Sequence, residues 1–573
     1  MSNHPEILHR VRATPNRYIR TARVQNIEGL TALSELGRVW TEIPGIVGLG
    51  AIDVFLSHLR SELAPSSPRE WDLDAEFAHF ALLALSQMQG VDDPKCVAQS
   101  RAILAGLPGI LKWSQYIFDT KLTGASSSQE QCMYSHALLT MLSAFVLDSH
   151  QSAVATARTS GFLELATRLW VWDDDFASLY ASQAVGMLLK YSPKPAHDRM
   201  IGATAGDAEF VIKLVLRRTK IAIKKLDSDG GNRLGCCILL INDLCEPQTH
   251  ALRRAFHDAD GFRTVTRSFL AFVRTISKSP DPTPAQIAPL SWYIEFFSSH
   301  LERDDYLAVV NAVKAGFLRA FIDCSPAFLR LAHSKLSLAA GIVHTLMPYL
   351  VYHSFIDEVA PLLEDLDRQR LSTQSPLKSE FERFWSVLSE HINVLGHIKE
   401  EVVTRKCENI KCQSPDTEQS FKTCKACQAT YYCSQECQRA DWEAQHREFC
   451  ASMKGESRCG RRSRRDITGL QTLGQRIVDL VSTTFHSIAE RDFPNTPRGE
   501  LVPCLDLSCF PPRYSIQTLR FAIGDRDEYE LLAEKCRAQK ATVVLCFRKN
   551  GASVGEAMWL TTGEGNFWDV QST

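Results

Sequence analysis

Seven cysteines and one histidine crowd into the segment between Cys407 and Cys450, and they fall into four pairs: Cys407-x4-Cys412, Cys424-x2-Cys427, Cys433-x3-Cys437 and His446-x3-Cys450. Zinc takes thiolate sulfur at about 2.3 Å and imidazole nitrogen at about 2.0 Å in a tetrahedron, so two ligands one turn apart can reach one ion. Four pairs supply two closed sites, one of four cysteines and one of three cysteines with His446. Cys433 and Cys437, and again His446 and Cys450, are spaced i and i+4, which puts each pair on one face if the chain is helical there. Sequential and crossed groupings of the pairs both fit the spacing. Either leaves no coordination position for a substrate water, which points to structural zinc.

The residues between the ligands carry a resemblance. Tyr431-Tyr432-Cys433-Ser434-Gln435-Glu436-Cys437-Gln438-Arg439-Ala440-Asp441-Trp442, followed by His446-Arg447-Glu448-Phe449-Cys450, resembles a MYND-type zinc finger. The resemblance is confined to residues 407–450. It implies the crossed grouping: Cys407, Cys412, Cys433 and Cys437 on one zinc, Cys424, Cys427, His446 and Cys450 on a second. It also implies a protein-binding module that docks proline-containing peptides of the PxLxP kind, with Ser434, Gln438 and Trp442 lining the groove. An indole offers flat apolar area to a proline ring, and a glutamine amide can pair with extended backbone. Trp442 has a second reading as a small-core residue capping the zinc fold, since so small a unit has little else to pack. The chain departs from the commoner pattern twice. Four residues rather than two separate Cys407 from Cys412. Three rather than two separate Trp442 from His446, which rotates His446 relative to Trp442 if that stretch is a regular helix.

The thiolates and two zinc ions sum to a negative cluster, and Lys406, Lys411, Lys422, Lys425, Arg439 and Arg447 surround it. No spaced helix of base-reading side chains accompanies these cations, so nucleic acid is not the expected partner. The whole chain of 573 residues has formal net charge -2, which gives no global pull toward nucleic acid or membrane.

Residues 1–400 read as successive helices. Leu73, Phe77, Phe80, Ala81, Ala84 and Met88 form one apolar stripe at helical period, and similar stripes recur near 28–62, 131–149, 176–191, 208–226, 233–245, 261–276, 303–320, 336–352 and 375–396. Turn residues separate them at Pro65–Pro68, Gly124–Ser128, Asp227–Asn232 and Ser279–Pro284. The expected fold class is mainly α: an all-helical scaffold over 1–400, armadillo- or HEAT-like, with an irregular bundle as the alternative. The zinc finger follows at 407–450, then a basic linker at 451–465. Residues 466–573 are expected to form a small α+β domain. In it, helices are expected over Asp466–Asp492 and Asp525–Lys540 and strands over Ile516–Ile523, Ala541–Arg548 and Ser553–Leu560, with Asn550-Gly551 as the hairpin turn. The apolar run Leu336–His353 is broken by His344, Pro348 and Tyr349 and reads as a core helix, not a membrane span.

Eleven cysteines outside the finger, with no signal-peptide core at the N-terminus, suggest a reducing, intracellular setting, cytoplasm or nucleus. The arginine-rich stretch 458–465 is a candidate nuclear import signal. Lys213, Arg217, Lys220 and Lys224 form a basic ridge on one helix. It reads as a solvated face or as a surface for an acidic partner. Trp172-Asp173-Asp174-Asp175 and Asn242-Asp243-Leu244 are similar to magnesium-binding motifs of terpene synthases, but His250 and Glu246 stand where an acid and a hydroxyl are needed. His391 and His397 are off register for one helical face. No GxSxG, P-loop or GxGxxG occurs, and the motifs of a SET-domain methyltransferase are missing on both sides of the finger. The expectation is a non-enzymatic adaptor. The alternative is an enzyme with an unfamiliar site in the C-terminal domain.

Overall fold

In the computed structural model the residues described are 4–561 apart from 66–70, 89–93, 125–126, 148, 174–178, 205, 225–229, 248, 279–280, 304–305, 366–374, 401–403, 408, 410, 413, 418–419, 427–429, 448–449, 451–463, 519–520, 522–542 and 551–552. The expected helix Asp525–Lys540, the linker up to residue 463, and the acids Asp174 and Asp175 therefore lie outside the described residues. The fold is mainly α, and the chain divides into two compact units, Met1–Val265 and Thr266–Thr573.

The first unit is built on a ladder of helices. Ile27–Val39 packs on Leu73–Ser86, which packs on Ser128–Leu147, then Leu179–Tyr191, then Gly230–Cys245. Other helices, among them Pro94–Ile117, His150–Arg158 and Ala208–Lys224, fill in beside these rungs. Successive rungs start about fifty residues apart, a looser period than that of armadillo or HEAT repeats, which is why no strict repeat is visible in the sequence. A rung is covered by a neighbour on each side, so its apolar surface is wider than a single stripe. Along Leu73–Ser86 the predicted Phe77, Ala81 and Ala84 are buried, but so are Ala75, Ala78, His79, Leu82 and Leu85. Gly37 explains how close two rungs come: a Cβ there would sit 3.1 Å from that of Ala84. Trp40 Nε1 donates to the Ala84 carbonyl at 3.0 Å across the same contact.

Several helices escaped the sequence reading because prolines interrupt them. Pro94–Ile117 runs through Pro108, Pro284–Arg303 through Pro289, and His353–Asp365 through Pro361. A proline inside a helix costs about 3 kcal/mol. Burial of Ile103, Leu107, Ile110, Leu111 and Trp113 around Pro108 is of a size to offset it. The predicted break at Asp227–Asn232 is shorter than expected, because Gly230 already begins a helix. Leu336–His353 is a helix, His333–Leu346, followed by a 3-10 turn, Met347–Val351. Among the described residues no helix is long and apolar enough to cross a membrane.

In the second unit the chain on both sides of the finger packs together. Helix Lys378–Glu400 leads into the finger and helix Arg464–Leu480 leads away from it, and the two are in contact. Arg464–Leu480 also lies against His353–Asp365. Asp466, buried at 1% exposure, fixes it there. Its Oδ1 accepts from the Ser354 backbone N–H at 2.6 Å, and its Oδ2 accepts from Ser354 Oγ and Tyr306 Oη, each at 2.8 Å. The carboxylate thus caps the first turn of His353–Asp365, where the helix dipole favours negative charge. The expected long helix Asp466–Asp492 is two helices, Arg464–Leu480 and Ser482–Asp492.

The C-terminal sheet has four strands in the order Arg513–Thr518, Leu501–Asp506, Val543–Asn550, Ser553–Thr561. Asn550 pairs with Ser553 in an antiparallel ladder, and Gly551 of the expected turn lies outside the described residues. The interior strand Leu501–Asp506 was not read from the sequence. It contains Pro503, which argues against an interior strand. The structure resolves the conflict: pairing with Val543–Asn550 starts at Cys504, one residue past the proline. Phe485 packs edge-on against Tyr514, and the Arg383 guanidinium stacks on Phe510, tying the sheet to helices on either side of the finger.

Two stability predictions follow from these contacts. Asp466→Ala removes a buried acceptor shared by Tyr306 Oη, Ser354 Oγ and the Ser354 N–H, and should cost about 3 kcal/mol in denaturant unfolding of the second unit. Asp243, on the rung Gly230–Cys245, is enclosed enough that desolvation pushes its carboxyl up to about 7, against a smaller opposing pull from Lys190. A carboxyl whose folded pKa is raised stabilises fully below its unfolded pKa and loses that contribution as pH climbs through the folded value. Asp243→Asn should therefore raise the melting temperature at about pH 8.5 and change it little at about pH 4, read by thermal melts across that range.

Candidate metal centre

The finger is a small layered unit. Strand Thr404–Lys406 pairs with Pro415–Thr417, strand Lys422–Thr423 pairs with Tyr431–Tyr432, and helix Gln435–Asp441 continues into a π-helical turn, Trp442–His446. Its core holds Phe421, Tyr431 and Tyr432, and the other members are ligand cysteines. Tyr432 Oη donates to Asp441 Oδ2 at 2.7 Å, both groups buried, and this bond locks the second hairpin to the end of the helix.

The side chains of Cys407, Cys412, Cys433 and Cys437 converge, and separately those of Cys424, His446 and Cys450. Within each group the donor atoms lie within 4.8 Å of one another. This is the crossed grouping. Cys427 lies outside the described residues. Sulfur separations are 3.6 Å for Cys412–Cys433, 3.5 Å for Cys433–Cys437 and 3.8 Å for Cys424–Cys450. A disulfide needs about 2.05 Å, whereas a tetrahedron with about 2.3 Å metal–sulfur bonds spaces its sulfurs about 3.8 Å apart. The donor geometry therefore fits a zinc ion and excludes disulfides among these pairs. When bound, zinc neutralises clustered thiolates and cross-links the segments that carry them, and the four-cysteine group leaves no vacant coordination position.

Local backbone chemistry delivers each ligand. The lengthened loop of the first pair is held by Asn409: its side-chain oxygen accepts from the Lys411 N–H at 3.0 Å and its carbonyl from the Cys412 N–H at 2.9 Å. The Cys407 N–H closes the loop on the Ser414 carbonyl at 3.0 Å. The two extra residues are thus absorbed in an Asx turn. Ser434 is the N-cap of helix Gln435–Asp441, its hydroxyl accepting from the Cys437 N–H at 3.2 Å, so the residue between two ligands also orients the second. The extra residue between Trp442 and His446 is taken up by the π turn, which fits one more residue per turn than an α-helix does. The expected rotation of His446 relative to Trp442 presupposed a regular helix, and this stretch is a π turn instead. His446 stays buried, with Nε2 3.3 Å from Thr430 Oγ1 and its ring edge-on to Trp442 at 5.7 Å between centroids.

Desolvation and hydrogen bonds with Cys437, Cys412 and Cys407 push Cys433 up to about 12. Burial likewise raises Cys407, whereas the Ser414 backbone N–H lowers Cys412. Metal must displace the thiol protons, which couples loading to folding of the unit.

On the outside of the same helix, Trp442 is 39% exposed, with Ser434 and Gln438 half-buried on the preceding turns. Trp442 contacts the His446 ring and leaves much of its indole in solvent. His391 is satisfied by the Leu350 carbonyl at 2.9 Å and takes no part in a metal cluster.

The site is a closed, thiolate-rich zinc module grafted onto a helical protein. The family model for the MYND finger matches residues 406–450, and this segment is a MYND finger, a zinc-binding protein-interaction module. No curated protein matches the chain.

Cys412→Ser should lower bound zinc measured by elemental analysis and unfold the finger, because structural zinc supplies about 10–16 kcal/mol of folding energy in units of this size. Far-UV circular dichroism should keep most of its helical signal, since the finger holds a single short helix of the many described.

Proposed function

We propose that the protein is a non-enzymatic adaptor. Its finger holds two structural zinc ions and docks proline-containing, PxLxP-like segments of partner proteins. Ser434, Gln438 and Trp442 are the docking residues. The reading rests on one observation: an indole left exposed on a helix flanked by candidate zinc ligands on both sides, Cys437 before it and His446 after it. A flat apolar surface that does not move loses little entropy on binding a proline ring. With Cys427 as fourth donor, the group Cys424, His446 and Cys450 completes a second tetrahedral site. The helical ladder provides scaffold surface, and a role in transcriptional regulation, in the cytoplasm or nucleus, fits a module of this kind.

Trp442→Ala in the full chain should weaken binding of a PxLxP peptide at least about tenfold by fluorescence polarisation, a loss of about 1.4 kcal/mol. Zinc content should be unchanged, because Trp442 is not a ligand. Equal binding by wild type and variant would remove the finger groove from the account.

A further inference from the structure

The basic ridge of helix Ala208–Lys224 is a second surface in the first unit that the finger does not explain. Buried residues occupy the rest of the helix: Val211, Ile212, Leu214, Val215, Leu216, Arg218, Thr219 and Ala222 all face the interior. The exposed residues are Glu209, Phe210, Lys213, Arg217, Lys220 and Lys224, the last five spaced three, four, three and four residues apart. Such spacing aligns side chains along one edge of a helix. The four cations span about 16 Å at a rise of 1.5 Å per residue. Phe210 begins the line and is 41% exposed, an unusual place for a phenyl ring on a helix with so much apolar surface already buried. The acid on this helix is Glu209, which pairs with Lys213. Both partners are well exposed, and a pair of that kind is worth little, so it does not bar an incoming carboxylate.

We infer that this line docks an acidic amphipathic helix of a partner protein, its carboxylates spaced three and four residues apart against Lys213, Arg217, Lys220 and Lys224, with one apolar residue covering Phe210. Charge complementarity chooses the occupant. Cations at helical spacing match carboxylates at helical spacing, and the phenyl ring at one end sets the direction. A nucleic-acid backbone fits less well, since its phosphates gain nothing from Phe210.

The test uses full-length protein and a fluorescein-labelled helical peptide of about fourteen residues, enough to run the length of the line, with glutamates at that spacing and one leucine. Fluorescence polarisation should show binding that weakens with salt. Lys220→Gln/Lys224→Gln should weaken it at least about tenfold, and Phe210→Ser about threefold, with thermal melts unchanged because these side chains are exposed. A peptide with glutamine for glutamate should not bind. Removing zinc with a chelator should leave binding intact, which separates this surface from the finger. The inference is overturned if wild type does not bind, if the double variant binds as wild type does, or if a scrambled peptide of equal charge binds equally. It is also overturned if a duplex oligonucleotide of similar length binds more tightly with the same dependence on Lys220 and Lys224.

Discussion

Thiols held 3.5–3.8 Å apart in a unit whose other core residues are Phe421, Tyr431 and Tyr432 are the constraint on which the finger depends. Neutral sulfur contacts of this length contribute little, and three aromatic rings do not make a core that folds by itself. The unit is coherent only as a cage for metal, and the details of its backbone serve that end. Asn409 shapes a loop, Ser434 caps a helix, the Tyr432–Asp441 bond joins hairpin to helix, and a π turn keeps His446 in place. The surface that results, with Trp442 turned outward, is rigid because its supports are ligands.

The chain on either side of the finger is packed as well. The helix entering it and the helix leaving it pack on each other, and the buried Asp466 carboxylate clips the second of these to Tyr306 and Ser354. The sheet that follows joins this packing through Phe510 under Arg383 and Tyr514 against Phe485. Two exposed features then stand apart from the packing, the indole of Trp442 and the cationic line ending in Phe210. They lie in different units of the chain.

How much was readable in advance varied with the range of the interaction. The ligand set, the helical stripes and the pairing of the last two strands were legible, because each is written in residues a few positions apart. Helices running through Pro108, Pro289 and Pro361 were not, since local propensity opposes them and only burial against other helices overrides it. Leu501–Asp506 was hidden for the same reason: Pro503 discourages an interior strand until register shows that the neighbouring ladder begins beyond it. Asp466 gave no signal at all, because its partners are 160 and 112 residues away.

By itself the sequence determined that this chain is mainly helical and that one short segment carries paired zinc ligands, since periodicity and ligand spacing are properties of neighbouring residues. Tertiary structure decided which pairs share a site, that an extra residue before His446 becomes a π turn and not a rotated ligand, and which side of helix Ala208–Lys224 stays in water. Those outcomes depend on segments meeting in space, and the free energy that selects among them comes from packing and coordination between residues far apart in the chain.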